Sequence, residues 1–594
     1  MNKNNTVSKF DRKDIIIPLI GFSLLVLIKL LFTITYRELP IIADEYTYAY
    51  YGKNLSEFHS YRGYQYPLFY PLILAQAYWF GKANVFMTMK VINVIWSSLT
   101  VVFTYFIARS FMDWKKSIVP MIFSMIIPFQ FTYSMLLLSE NVYFPLLLLS
   151  ILMIVRNNKH QYVDSFLYGA LIGILFLTRF ITLIMMPVFI LAWLMKKLDQ
   201  KTSFINIIMQ GIMMIVTAVV MYMPFFAVQL KKGYPVKFLL GFSIASKTNK
   251  EQLTMGRMGM VAVLYFCFMV IAAAPVITYM VKSFWAIEFK NLFGKFNRLW
   301  IMSWGLFGTS FVAVVRHSWR ASYNYPEFER IKGRYLIYFP LIFAILATVI
   351  MLEKKTKIKN KVVNIVICYI LPAITFAFAY GVIAKGFLYK LDGGRLLTNL
   401  EAIDGYKALL GGTGFLVSVL ILNLVGQVAF DYGDEILARL KGIKTEHITV
   451  AIPVILSVSL LVCGFAGNGK LNSYLKEQND QEKNTKVAFA YKMDNVIEKM
   501  HETHYSRIII VPDSMMYNVF LTKYFKFKYN DKVLLTNTYK KYKDQTIYVF
   551  TMNPDKYKEI TIEKVDSFEH VDGSSKGTYH IILVDKNKLE TIQN

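Results

Sequence analysis

From Ile15 to about residue 467 the chain is a succession of apolar runs separated by short, mostly charged connections. A hydrocarbon layer of about 30 Å needs about 20 apolar residues in a helix, and a helix satisfies its own backbone polar groups there. Candidate spans are 15–36, 84–110, 117–135, 137–155, 163–178, 180–197, 205–230, 258–283, 296–316, 334–352, 362–387, 407–428 and 447–467. The pattern predicts a polytopic α-helical membrane protein with about thirteen transmembrane helices. A chain that is 55% hydrophobic over such a length is not a soluble globular protein. The first run follows Lys9, Arg12 and Lys13 and lacks the short core and small-residue cleavage site of a signal peptide. It therefore reads as a retained helix.

The formal net charge is +27. In a soluble chain that excess would suggest nucleic acid. Here most of it lies in short loops, where the positive-inside rule accounts for it and no nucleic-acid partner is needed. Alternate connections carry Arg109, Lys115 and Lys116; Arg156 and Lys159; Lys196, Lys197 and Lys201; Lys290, Lys295 and Arg298; and Lys354, Lys355, Lys357, Lys359 and Lys361. These loops would be cytoplasmic, which places the segment after the first span on the outer face of a cell membrane. Two outer loops are also basic, 231–257 and 316–334. The first reads equally as a surface near anionic lipid; the second is the better phosphate site.

After residue 467 the composition turns polar. Asn468–Lys486 reads as a linker, Val487–Met500 as a helix, and 507–511, 533–535, 546–550 and 579–584 as strands. The expected organisation is a transmembrane domain over 1–467, then a linker and a small extracytoplasmic α/β domain over 468–594. Cys267, Cys368 and Cys463 all lie in apolar segments, which argues against a disulfide framework.

The chemistry-bearing residues gather on the expected outer face. Asp44 and Glu45 follow the first span. Carboxylates beside apolar surface lose hydration and gain proton affinity, which suits a general base; a pair simply facing water is the plain alternative. Tyr64, Tyr66, Pro67 and Tyr70 form an aromatic–proline stretch suited to a rigid interfacial substrate loop. Glu140, within Ser139-Glu140-Asn141, interrupts an apolar stretch and should face a cavity or a helix end, or else sit in a turn capped by Ser139. Arg179, in Leu-Thr-Arg, suits a carboxylate or phosphate, or snorkels. Arg334 and Tyr335 open a later run, where a guanidinium and a helix N-terminus can hold a phosphate ester, or merely anchor the interface. Gly464–Lys470 has the spacing of a phosphate-binding loop, but Leu471 stands where Ser or Thr is required. His501 and His504 alone do not make a metal site.

In order and sidedness this set resembles the GT-C superfamily of integral membrane glycosyltransferases, nearest to the protein O-mannosyltransferase-like and aminoarabinose-transferase-like groups. The resemblance covers roughly residues 15–350. It implies a GT-C-like bundle and an inverting transfer from a polyprenyl (undecaprenyl) phosphate sugar to an extracytoplasmic acceptor: a cell-wall polymer, lipid or protein. Asp44 would be the catalytic carboxylate, Glu45 and Glu140 would support it, and Arg334, Tyr335 and Arg179 would hold the lipid phosphate. Members of the superfamily differ over a divalent cation, so the resemblance allows one without requiring it. A transporter or polymerase of lipid-linked glycans is the competing class. Such transporters are built from related halves, and the sequence has none.

Overall fold

The computed structural model describes residues 11–35, 43–58, 66–80, 85–126, 134, 136–241, 254–273, 276–321, 335–384, 417, 420–421, 424–428, 430–432, 492–493, 495–500, 507–512, 533–536, 540, 545–572, 575–585 and 587–589. Tyr64, Arg334, most of the span at 407–428, the span at 447–467, the linker, Gly464–Lys470 and the His501/His504 pair lie outside these residues, as does the side chain of Asp44.

The fold is a polytopic helical assembly followed by a small sheet domain. Among the described residues seven helices are long and apolar enough to cross a membrane. The helices are α1 (Lys13–Thr35), α2 (Ala43–Ser56), α3 (Phe69–Phe80), α4 (Val85–Arg109), α5 (Trp114–Ile126), α6 (Glu140–Val155), α7 (Gln161–Thr178), α8 (Thr182–Asp199), α9 (Phe204–Lys231), α10 (Met255–Ala272), α11 (Ile277–Lys282), α12 (Lys295–Ala321) and α13 (Phe339–Val349). After it α14 (Lys361–Ile365) continues through a π turn into α15 (Leu371–Ala384). The closely spaced runs between 137 and 197 resolve into α6, α7 and α8, with boundaries within three residues of those expected.

Two segments differ from the sequence reading. The stretch after the first span contains the helices α2 and α3, and α3 begins inside the expected aromatic loop. Neither is long enough to appear as a span: α2 is polar and α3 has 12 residues. The run at 258–283 is divided, with α10 ending at Ala272 and α11 restarting at Ile277.

Charge fixes the pairing of α1 with α4. Asp14 accepts Arg109 Nε at 2.6 Å and Tyr105 OH at 2.9 Å, all three buried. Further along, Leu25 packs with Val101 and Tyr105. The two helices are thus antiparallel and in fixed register. Elsewhere α7 and α9 approach closely at Gly169, where an added Cβ would lie 2.2 Å from the Met214 carbonyl.

The C-terminal sheet has the order β2-β1-β3-β5-β4, with β1 (Ile508–Pro512), β2 (Val533–Leu535), β3 (Thr546–Thr551), β4 (Thr561–Asp572) and β5 (Ser575–Val584). β1 pairs in parallel with β2 and β3, and β5 runs antiparallel to β3 and β4. Alternation puts Ile508, Ile510, Tyr548 and Phe550 on one face, under Met493, Ile497 and Met500. Ile509, Val511, Ile547 and Val549 face the other side, against Tyr557 and Ile560. Parallel strands buried on both faces read as unbroken apolar runs, as here.

The chain forms two compact units. One comprises Met1–Glu38, Tyr61–Tyr70 and Lys90–Lys470; the other comprises Leu39–Ser60, Pro71–Met89 and Leu471–Asn594.

Candidate functional site

A five-residue connection, 156–160, forces α6 and α7 to run antiparallel, so the start of α6 and the end of α7 lie at one end of the bundle. Glu140 is the first residue of α6 and Arg179 is the C-cap of α7, with extended backbone at φ −152° and ψ 129°. Each charge therefore suits its helix end: the carboxylate the N-terminal partial positive charge, the guanidinium the C-terminal partial negative one.

The two side chains meet. Arg179 Nη1 stands 2.6 Å from Glu140 Oε1, with the arginine 13% and the glutamate 4% exposed. Arg179 Nη1 also donates to Ser139 Oγ at 3.0 Å. Ser139 occupies the N-cap position of α6, yet its hydroxyl makes no capping bond and serves the arginine and Glu140 instead. The guanidinium lies 5.4 Å from the Tyr335 ring centroid and 6.0 Å from that of Tyr143. Tyr143 follows Glu140 by three residues on the same helix face. It is fully buried and accepts a hydrogen bond from Thr182 Oγ1, at the start of α8. Tyr335 opens the turn leading into α13, and His317, near the end of α12, meets it edge-on at 5.7 Å.

This is a guanidinium fixed by a carboxylate and a hydroxyl and framed by two phenol rings. Such a group can bind an oxyanion through its planar donors while the rings hold its plane. Of the sequence candidates, the structure brings Glu140, Arg179 and Tyr335 together. Asp44 and Glu45 lie in α2, in the other unit, and the Glu45 side chain is buried. Pro67 is buried and Tyr66 partly so. Tyr70 is fully buried and donates to Asn93 Oδ1 at 3.0 Å. The sequence reading missed Tyr143, Thr182 and the direct role of Ser139; the i, i+3 spacing from Glu140 was the available signal for Tyr143. Among the described residues no three His, Cys, Asp or Glu side chains group as metal ligands.

No protein-family description matches the sequence, and no curated protein matches it. Solved structures do match the fold. ArnT from Cupriavidus metallidurans, solved bound to undecaprenyl phosphate, aligns with 95% of this chain and 97% of its own at a TM-score of 0.50 and 11% identity. The oligosaccharyltransferase AglB from Archaeoglobus fulgidus, in complex with an inhibitory peptide and a dolichol-phosphate, aligns with 96% of this chain and 74% of its own at 0.33 and 12%. An apo oligosaccharyltransferase from the same organism gives 91%, 70%, 0.34 and 13%. The chain shares the fold of the ArnT structure.

Proposed function

We propose that this protein is a membrane glycosyltransferase that takes a sugar from a polyprenyl-phosphate carrier and transfers it to an acceptor on the outer face of the membrane. The observation that carries the reading is the half-buried Arg179, fixed by Glu140 and Ser139 and framed by Tyr143 and Tyr335, in a chain with the fold of ArnT. The ArnT structure contains undecaprenyl phosphate.

In this reading Arg179 and Arg334, with Tyr335, bind the phosphate and stabilise its charge as it leaves the anomeric carbon. Preorganised positive charge at a leaving phosphate is a large electrostatic contribution to catalysis. Asp44 takes the proton of the acceptor hydroxyl as that oxygen attacks from the opposite side, inverting the centre, with Glu45 supporting it. The aromatic stretch at Tyr64, Tyr66, Pro67 and Tyr70 shapes the substrate loop. The acceptor is an extracytoplasmic polymer, lipid or protein, and the domain of 468–594 lies on that same side.

The test is transfer of labelled sugar by the purified protein in lipid nanodiscs, from a panel of undecaprenyl-phosphate sugars to envelope-derived acceptors. Release of undecaprenyl phosphate with label in the acceptor fraction is expected. Equal activity with soluble nucleotide sugars and no lipid donor would overturn the reading.

A further inference from the structure

Lys29 lies inside the first membrane helix, six residues from its end at Thr35, or about 9 Å at 1.5 Å per residue. It is fully buried and donates to Ser97 Oγ of α4 at 2.8 Å. Charged side chains at such depth are costly and mark binding sites or pathways. Anchoring α1 to α4 does not require one. Deeper along the same interface Leu25 and Val101 pack without polar groups, and the Asp14–Arg109–Tyr105 cluster ties the opposite end.

The register continues outward from Lys29. Leu25 matches Val101 and Lys29 matches Ser97, so the next helical turn brings Thr33 level with Asn93. Thr33 is 1% exposed, and its Oγ1 has no hydrogen-bond partner among the described residues. Asn93 accepts from Tyr70 and donates to the Leu136 carbonyl at 2.9 Å. The same carbonyl accepts Asn141 Nδ2 at 2.9 Å, and Asn141 adjoins Glu140. Buried polar groups thus recur from Lys29 and Ser97, through Thr33 and Asn93, to Asn141 at the start of α6, beside Glu140.

Glu140 offsets part of the charge that Arg179 brings to a phosphate, so a second cation nearby would strengthen the hold on it. We propose that Lys29, with Thr33 and Ser97, is a second phosphate-binding group of the candidate site and takes the monophosphate of a polyprenyl lipid. This rests on the lipid-phosphate reading above. The lipid tail stays among the helices while its phosphate lies beneath the outer end of α1, within reach of an ammonium and two hydroxyls.

The test compares binding of undecaprenyl phosphate and of undecaprenol, its uncharged alcohol, to the full chain in nanodiscs. Wild type should prefer the phosphate. Lys29→Met should lose that preference by about 10- to 100-fold, the scale of a charge-assisted hydrogen bond, and Lys29→Arg should retain most of it. A structural anchor would lower the melting temperature and leave the preference intact, so an unchanged preference in Lys29→Met overturns the proposal. If Lys29→Met does not fold, Thr33→Val decides: a drop of about threefold is expected and no change overturns it. Inorganic phosphate at millimolar concentration should not displace the lipid; if it competes fully, the site takes free phosphate and the proposal fails. A wild type without preference for the phosphate would instead refute the lipid-phosphate reading of the whole site, and that result is visible without any variant.

Discussion

Glu140 and Arg179 lie at opposite ends of consecutive antiparallel helices, and their charged atoms approach to 2.6 Å. The pair sets the direction in which the guanidinium presents its remaining donors. Glu140→Gln keeps the shape and removes the carboxylate charge that faces the half-buried arginine; breaking a fully buried pair costs about 3–5 kcal/mol, and partial exposure of Arg179 lowers that figure here. Glu140→Gln and Arg179→Gln should each raise the donor KM and reduce transfer. The double variant should be far less damaged than the sum of the two, as measured by a double-mutant cycle on kcat/KM. Additive effects would mean that the pair is not one functional unit.

Asp44→Asn should leave the protein inserted and folded and reduce transfer by about a hundredfold or more, the scale of a lost general base. Single-turnover transfer with saturating donor measures it. Turnover near that of the wild type would remove Asp44 from the chemistry.

The Asp14–Arg109 pair is structural, and its loss should appear in stability rather than turnover. Asp14→Asn should lower the thermal midpoint of the purified protein, with activity per folded molecule little changed. Replacing both residues with apolar ones of similar volume should recover much of the loss, because the cost comes from the stranded charge.

Helix packing gives a paired glycine test. Gly169→Ala drives a Cβ into the Met214 carbonyl and should cost about 1–3 kcal/mol. At Gly308 a Cβ meets nothing within 4 Å, so Gly308→Ala in α12 should be neutral or stabilise by about 0.5–1 kcal/mol. Thermal unfolding of the two variants side by side checks both signs.

Orientation is tested with single cysteines in a background lacking the three native ones. Lys159 and Met552 are both exposed. A cysteine at 552 should react with an impermeant thiol reagent in intact cells, and one at 159 only after the membrane is opened. The reverse pattern would place the C-terminal domain on the cytoplasmic side.

Much of this was legible in the sequence where one physical demand dominates. Runs such as 205–230 must be helical in hydrocarbon, and α9 follows at Phe204–Lys231. The doubly buried strands β1, β2 and β3 announced themselves by Ile508–Val511, Val533–Leu535 and Thr546–Phe550. β4 did not, because Thr561–Asp572 is largely solvent-facing and charged, and it is held by pairing with β5. The helix α2 was hidden for a related reason: Ala43–Ser56 is polar and carries no span-length apolar signal. At the site, Glu140 and Arg179 stood out as isolated charges between apolar runs. Their contact was not legible, since it depends on the tight connection between α6 and α7, and Tyr143 passed as one more aromatic in an apolar helix.

The division of the chain into units has a consequence for how the protein is made. The second unit joins Leu39–Ser60 and Pro71–Met89 to Leu471–Asn594. Its first pieces leave the ribosome early, and all of Lys90–Lys470 must be synthesised and inserted before the remainder follows. At about 5–20 residues per second that wait is on the order of tens of seconds. Through that interval α2 and α3 are membrane-proximal segments without the rest of their unit. They are natural clients for the insertion machinery and for chaperones at the membrane, and truncation before Leu471 would leave them incomplete permanently.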